Sequence, residues 1–102
     1  MTSINRIESA IEEKAAYVAR LLGLMANEKR LLLLCRLAEG EMSVSHLARV
    51  LGLGQSALSQ HLSKLREEGL VDSRREGQSI FYRIGDPKTL SFMETLQKLY
   101  CN

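Results

Sequence analysis

Residues 43 to 69, SVSHLARVLGLGQSALSQHLSKLREEG, carry two short helical periodicities broken at Leu51-Gly52-Leu53-Gly54, and no other stretch limits the fold as tightly. Val44, Leu47, Ala48 and Leu51 recur at steps of three and four, which puts one apolar stripe on a first short helix. Ser43 or Ser45 can cap its start. Gly52 stands just past its end, where a left-handed residue closes a helix without a side-chain clash and lets Leu53 turn back to the core. Gly54 is a tolerable N-cap for the next helix, roughly a few tenths of a kcal/mol worse than serine or aspartate. That helix, predicted from Gln55 to Glu68, sets Leu58, His61, Leu62 and Leu65 on one side and Ser56, Ser59, Gln60, Ser63 and Glu67 on the other. A solvated helix face is ordinarily built from long charged residues, which are soluble and good helix formers. Serines lower helix propensity, and serines and glutamines together suit a surface laid against donors and acceptors such as base edges in a major groove. A merely exposed helix is the competing reading.

The flanking segments complete a small domain. Ile4, Ile7, Ile11, Ala15, Val18, Leu22 and Met25 share one face of a long helix over residues 4 to 25, with Arg6, Glu12, Glu13, Lys14 and Arg20 mostly elsewhere. So long a helix at the edge of so small a domain has little core of its own to cover, so its stripe is expected to meet a second subunit. Asn27 is a good N-cap for a helix from Glu28 to about Glu39, whose Leu31-Leu32-Leu33-Leu34-Cys35 run predicts a buried central helix ended by Gly40. From Leu70 to Ile84 the period changes to that of strands, turning at Glu76-Gly77 into a two-stranded hairpin with Arg74, Arg75 and Gln78 near its tip. A hairpin beside a recognition helix is a wing, and arginines at its tip suit phosphates or a minor groove; a structural hairpin with a soluble tip is the alternative. Asp86-Pro87 opens the last helix as cap and first residue, and Phe92, Met93, Leu96, Leu99 and Tyr100 form a wide stripe expected to join the first helix in a dimer interface.

A chain of 102 residues without repeats or a linker is expected to form one domain over 1–102, with dimerisation helices at 1–25 and 86–102, a helix-turn-helix at 43–69 and a wing at 70–84. The surface per unit volume of so small a domain is large, which also favours a partner subunit. The formal charge is only +2, but residues 43–84 hold six Lys or Arg against four Asp or Glu, while the remainder holds eight of each. The whole surplus lies in the candidate reading segment and would double in a dimer, favouring a polyanion. Two Phe, three Tyr and no Trp argue against a base-stacking platform for single strands. There is no apolar run of roughly eighteen residues, and the N-terminal segment is amphipathic and acidic, unlike a secretory signal, so no membrane is expected and the location is expected to be cytoplasmic. Cys35 and Cys101, 66 positions apart, have no metal-ligand spacing. In a reducing cytosol no permanent disulfide is expected. With no C-x-x-C and no cofactor motif, an enzyme is not expected.

The stretch NEKRLLLLCRLAEGEMSVSHLARVLGLGQSALSQHLSKLREEGLV and the wing SRREGQSIFYRI resemble the ArsR/SmtB family of dimeric winged-helix repressors across nearly the whole chain. The resemblance implies a mainly α fold with a β-hairpin wing, a winged helix-turn-helix in the order α-α-α-α-β-β-α, acting as a homodimer on double-stranded operator DNA. Gln55, Ser56, Ser59 and Gln60 match its base-facing positions, with Lys64 and the wing arginines near phosphates, and His61 matches a position that packs under the helix. Metal-sensing members place a Cys-Val-Cys triplet where this chain reads Ser43-Val44-Ser45, which lacks thiolates for a soft metal. Others bind zinc through Asp and His along the last helix, but no histidine occurs from Asp86 to Asn102, so no metal or other cofactor is expected.

Cys35 in the central helix and Cys101 at the end of the last one, in the sequence LYCN, resemble the reactive-sulfur-sensing BigR and SqrR branch, in which cysteines at those places become bridged. Taken by itself Cys35 reads as a small core residue. The resemblance implies a repressor that releases its operator when persulfide, polysulfide or another oxidant links the two thiols. A metal- or arsenite-responsive repressor using the same thiols, and a winged helix that binds protein instead of DNA, are the alternatives. Cys101 is expected to be the reachable thiol.

Overall fold

The computed structural model describes the backbone from Thr2 to Cys101 and the side chains of residues 10–101. The side chains of Ile4, Arg6 and Ile7, counted in the first helix's pattern, lie outside the described residues. In chain order the elements are α1 (Thr2–Met25), α2 (Glu28–Ala38), β1 (Met42–Ser43), α3 (Val44–Leu51), α4 (Gln55–Glu67), β2 (Val71–Glu76), β3 (Ser79–Ile84) and α5 (Pro87–Tyr100). The caps are those the sequence marks. Asn27 accepts from the Arg30 N–H, Ser43 rather than Ser45 accepts from the His46 N–H, and Asp86 accepts from the N–H groups of Lys88 and Thr89. Gly52 takes φ 64° after α3, and the Leu53 N–H returns to the Ala48 carbonyl at 3.0 Å, a bond that needs the left-handed residue between them.

The wing is one strand larger than expected. Met42 and Ser43 pair antiparallel with Tyr82 and Phe81, so the sheet has the order β1-β3-β2 and not that of a lone hairpin. Two residues are too few to show a period, and Ser43 has a second task as the cap of α3. The hairpin itself runs from Val71↔Ile84 to Glu76↔Ser79, and its two-residue loop begins with Gly77 at φ 61°, where a hairpin of this length requires a positive φ.

The core collects Leu33, Leu34 and Leu37 of α2, Leu47 and Leu51 of α3, Leu58, Leu62 and Leu65 of α4, Leu70, Val71 and Met93. Complete burial of each leucine is worth about 1.5–3 kcal/mol over leaving it exposed, so the three leucines of α4 fix which of its faces points outward. Two expectations shift. The α2 helix is buried on one side only: Leu32 and Arg36 are exposed and Cys35 is half-buried. The α1 stripe also divides: of its described residues Met25 turns into the chain's own core, joined there by Leu21 and Leu24 from outside the stripe, while Ile11, Val18 and Leu22 stay 64%, 43% and 47% exposed. A helix that leaves residues 10–20 uncovered has no use for that apolar face within its own chain. Phe92 of α5 is exposed beside it, and Val18, Leu22 and Phe92 line a common groove.

Candidate DNA-reading face and thiol cleft

With Leu58, Leu62 and Leu65 turned inward, α4 presents Gln55, Ser56, Ser59, Gln60, Ser63 and Lys64 to solvent. Ser56, Ser59, Gln60 and Ser63 follow one another at helical spacing, so they form a single polar strip. Among the described residues none of these side chains has a hydrogen-bond partner, which leaves their donors and acceptors for a ligand. The helix is held from behind. Arg30 of α2 donates from Nε to Nδ1 of His61 at 3.1 Å and from Nη1 to the Leu24 carbonyl at 3.2 Å, tying α4 to the junction of α1 and α2. Burial, then the charges of Arg30 and Lys64, hold His61 below the ordinary histidine pKa, in keeping with a neutral ring that accepts from Arg30. Lys29 donates to the Leu51 carbonyl at 3.0 Å and closes the C-terminal end of α3.

The wing residues separate. Consecutive residues on a strand face opposite ways, and Arg74 and Arg75 lie opposite Phe81 and Ile80 respectively. Arg74, expected near phosphates, is engaged inside the chain: it forks onto Glu41 at 2.7–3.1 Å, reaches Glu76 at 2.6 Å and lies 4.6 Å from the Phe81 ring centroid. The Arg74 hydrogen bond is the chief reason that the Glu41 carboxyl is held below its usual range. A guanidinium so committed braces the wing against the turn before β1. Arg75 forms no ion pair among the described residues, and it is exposed next to the loop that carries Gln78. Arg83, which the sequence reading passed over, is exposed on β3 opposite Asp72. Strand alternation could have singled it out.

On the other side of α2, Cys35 and Cys101 open into one cleft of about 430 Å³, bounded by Leu32, Cys35 and Arg36 of α2 with its C-cap Glu39, and by Gln97 of α5 with its C-cap Cys101. Both thiols are free, Cys101 exposed and Cys35 half-buried. Burial, the neighbouring Cys101 and Glu39, in that order, push the Cys35 thiol up, so it rests protonated. Gln97 donates from Nε2 to the Cys35 carbonyl at 3.2 Å. The sequence reading missed Gln97, although its spacing of four from Cys101 puts both on one helix face. Among the described residues no cluster of three His, Cys, Asp or Glu forms a metal site, and no helix is long and apolar enough to cross a membrane.

The model of the bacterial regulatory protein, arsR family, matches residues 27–73. The transcriptional activator HlyU of Vibrio cholerae is 46% identical over 91 residues, covering 89% of this chain and 84% of its own length. The structure of reduced HlyU superposes with a TM-score of 0.87 at 45% identity, covering 91% of this chain and 98% of the other. The crystal structure of the transcriptional repressor BigR from Xylella fastidiosa gives a TM-score of 0.85 at 40% identity, covering 93% and 97%. A homodimeric winged helix-turn-helix DNA-binding domain from Mycobacterium bovis gives 0.74 at 33% identity, covering 90% and 82%.

Proposed function

Because the chain belongs to the ArsR family of bacterial transcriptional regulators, we propose that it is a homodimeric repressor that holds its operator while Cys35 and Cys101 are reduced and releases it when they are bridged. The observation that carries the sensing half is the cleft, where two free thiols, one on α2 and one at the C-cap of α5, share one opening. The dimer is supported by the uncovered apolar face of α1 and Phe92, and by the homodimeric relative. Its α4 helices would enter two successive major-groove half-sites, ~34–36 Å apart, so a small rotation between subunits breaks simultaneous contact.

Reactive sulfur suits the cleft chemically. The exposed Cys101 thiolate attacks the central sulfur of an organic trisulfide R–S–S–S–R and expels R–S⁻, giving Cys101–S–S–S–R, the first sulfur being Sγ. The Cys35 thiolate then attacks that same central sulfur, expels the second R–S⁻ and closes Cys101–S–S–S–Cys35. Two electrons pass from the cysteines to the carrier, which leaves as two thiols carrying the two thiol protons. A direct disulfide requires Cα atoms ~4.4–6.8 Å apart, whereas each inserted sulfur adds ~2 Å of reach. Intact-mass measurement after persulfide, peroxide and oxidised glutathione, each paired with operator binding by fluorescence anisotropy, tests the proposal. The expected result is an intramolecular bridge of more than two sulfurs coinciding with operator release; release with both thiols unmodified would overturn it.

The reading face makes a separate expectation. Gln60→Ala should weaken operator binding by about 1–3 kcal/mol and leave random-duplex binding unchanged, because an exposed glutamine can pair with a base edge. Arg75→Ala should lower both affinities and flatten the salt dependence, since a phosphate contact releases counterions on any sequence. Equal losses on both duplexes for Gln60→Ala, or an unaltered salt slope for Arg75→Ala, would remove that residue from its assigned role.

A further inference from the structure

The cleft contains a third group that the bridging chemistry does not consume. An α-helix leaves its last four carbonyls without intrahelical donors, and Cys35 provides the first of those four in α2. The Glu39 N–H, which would ordinarily serve the Cys35 carbonyl, turns instead to Arg36 at 3.1 Å, and Gln97 of α5 fills the place at 3.2 Å. Gln97 is in turn the residue whose carbonyl accepts the Cys101 N–H, at 2.8 Å. One side chain thus joins the backbone of one sensor cysteine to the helical turn that carries the other. The apolar side of that turn offers little in its place: Met93 and Leu96 pack against the core, but Leu99 and Tyr100 are 67% and 81% exposed.

We propose that Gln97 is a positioning residue for bridge closure, holding the last turn of α5 against α2 so that the Cys101 polysulfide is presented to Cys35. The role rests on the thiol-switch reading and concerns its second step, in which the Cys35 thiolate displaces the carrier thiolate. The first step, attack by an exposed thiol on a free carrier, needs no register between the helices. Closing the ring does, because its rate follows the effective concentration of one sulfur at the other, and a frayed last turn lowers that concentration.

Gln97→Met keeps the length and loses the donor, and Gln97→Glu keeps the shape and turns an acceptor toward the carbonyl. In both, the native chain being otherwise intact, stopped reactions with an organic trisulfide followed by intact mass should show the Cys101–S–S–S–R adduct accumulating. Ring closure should slow by ~3–10-fold, the range to which the net worth of a neutral hydrogen bond corresponds. Adduct formation in Gln97→Met and operator affinity of the reduced protein should change less than twofold. Slower closure in both variants, with the first step unchanged in Gln97→Met, is the supporting result, which a merely stabilising cap would not give. Closure at the native rate in either variant overturns the positioning role while leaving the thiol switch standing. Absence of any bridge in the native protein overturns the switch and this role together.

Discussion

Cys35→Ser and Cys101→Ser are each expected to remain on the operator under a persulfide treatment that releases the native protein. Bridge closure needs a sulfur at both ends of the cleft, and a serine hydroxyl is neither ionised near neutral pH nor able to displace a thiolate. If the bridge couples to DNA binding with a typical ~1–3 kcal/mol, release amounts to a ~5–150-fold loss of affinity in the native chain, and each variant reduces that ratio to one. Cys35 lies on α2 and Cys101 just past the end of α5, both apart from the outward strip of α4, so reduced-state affinity should be unaltered. Cys35 is half-buried at an open cleft and not sealed in the core, so its replacement by a hydroxyl meets water and costs little stability. Anisotropy against labelled operator, with intact mass on the same samples, reads the effect. A double serine variant that still releases on treatment would make the cysteines packing residues only, and the regulator assignment would survive.

Leu22→Glu is expected to divide the proposed dimer and with it most of the operator affinity. Leu22 is 47% exposed and lines an apolar groove of about 120 Å³ with Val18 and Phe92, so a carboxylate there leaves the single chain folded. Between two copies it would be a charge removed from water without a partner, costing several kcal/mol per ion. A monomer reads one half-site, and losing the second contact forfeits the ~10²–10⁴-fold gain that linkage of two binding modules gives. Sedimentation should show a folded monomer, its melting temperature lowered only by the loss of the association that stabilises the native dimer. A dimer that persists in Leu22→Glu and binds operator normally would place the interface elsewhere.

The helix boundaries were legible because their causes are local. Asn27, Ser43, Gly52 and Asp86 act within three or four residues of where they stand, and the leucines of α3 and α4 announce their faces by spacing alone. The outward strip Ser56, Ser59, Gln60 and Ser63 follows from the same period. The period could not tell which of two adjacent arginines is free. Arg74 and Arg75 are equal as letters, but Glu41, 33 positions away, occupies the first, and only the return of the chain through β1 brings it there.

The same limit governs the thiols. Sequence resemblance paired Cys35 with Cys101, whereas their common cleft, the half-exposure of Cys35 and its tie to Gln97 across 62 positions come from how α5 docks on α2. Likewise the period of α1 foretold an apolar stripe, but the packing of its last turn decided that Leu21, Leu24 and Met25 belong to this chain's core and that Val18 and Leu22 remain uncovered. Spacing along a helix determines which residues share a face, since that geometry is set within one or two turns. What the face meets depends on contacts between segments far apart in the chain, and those form only when the whole core closes.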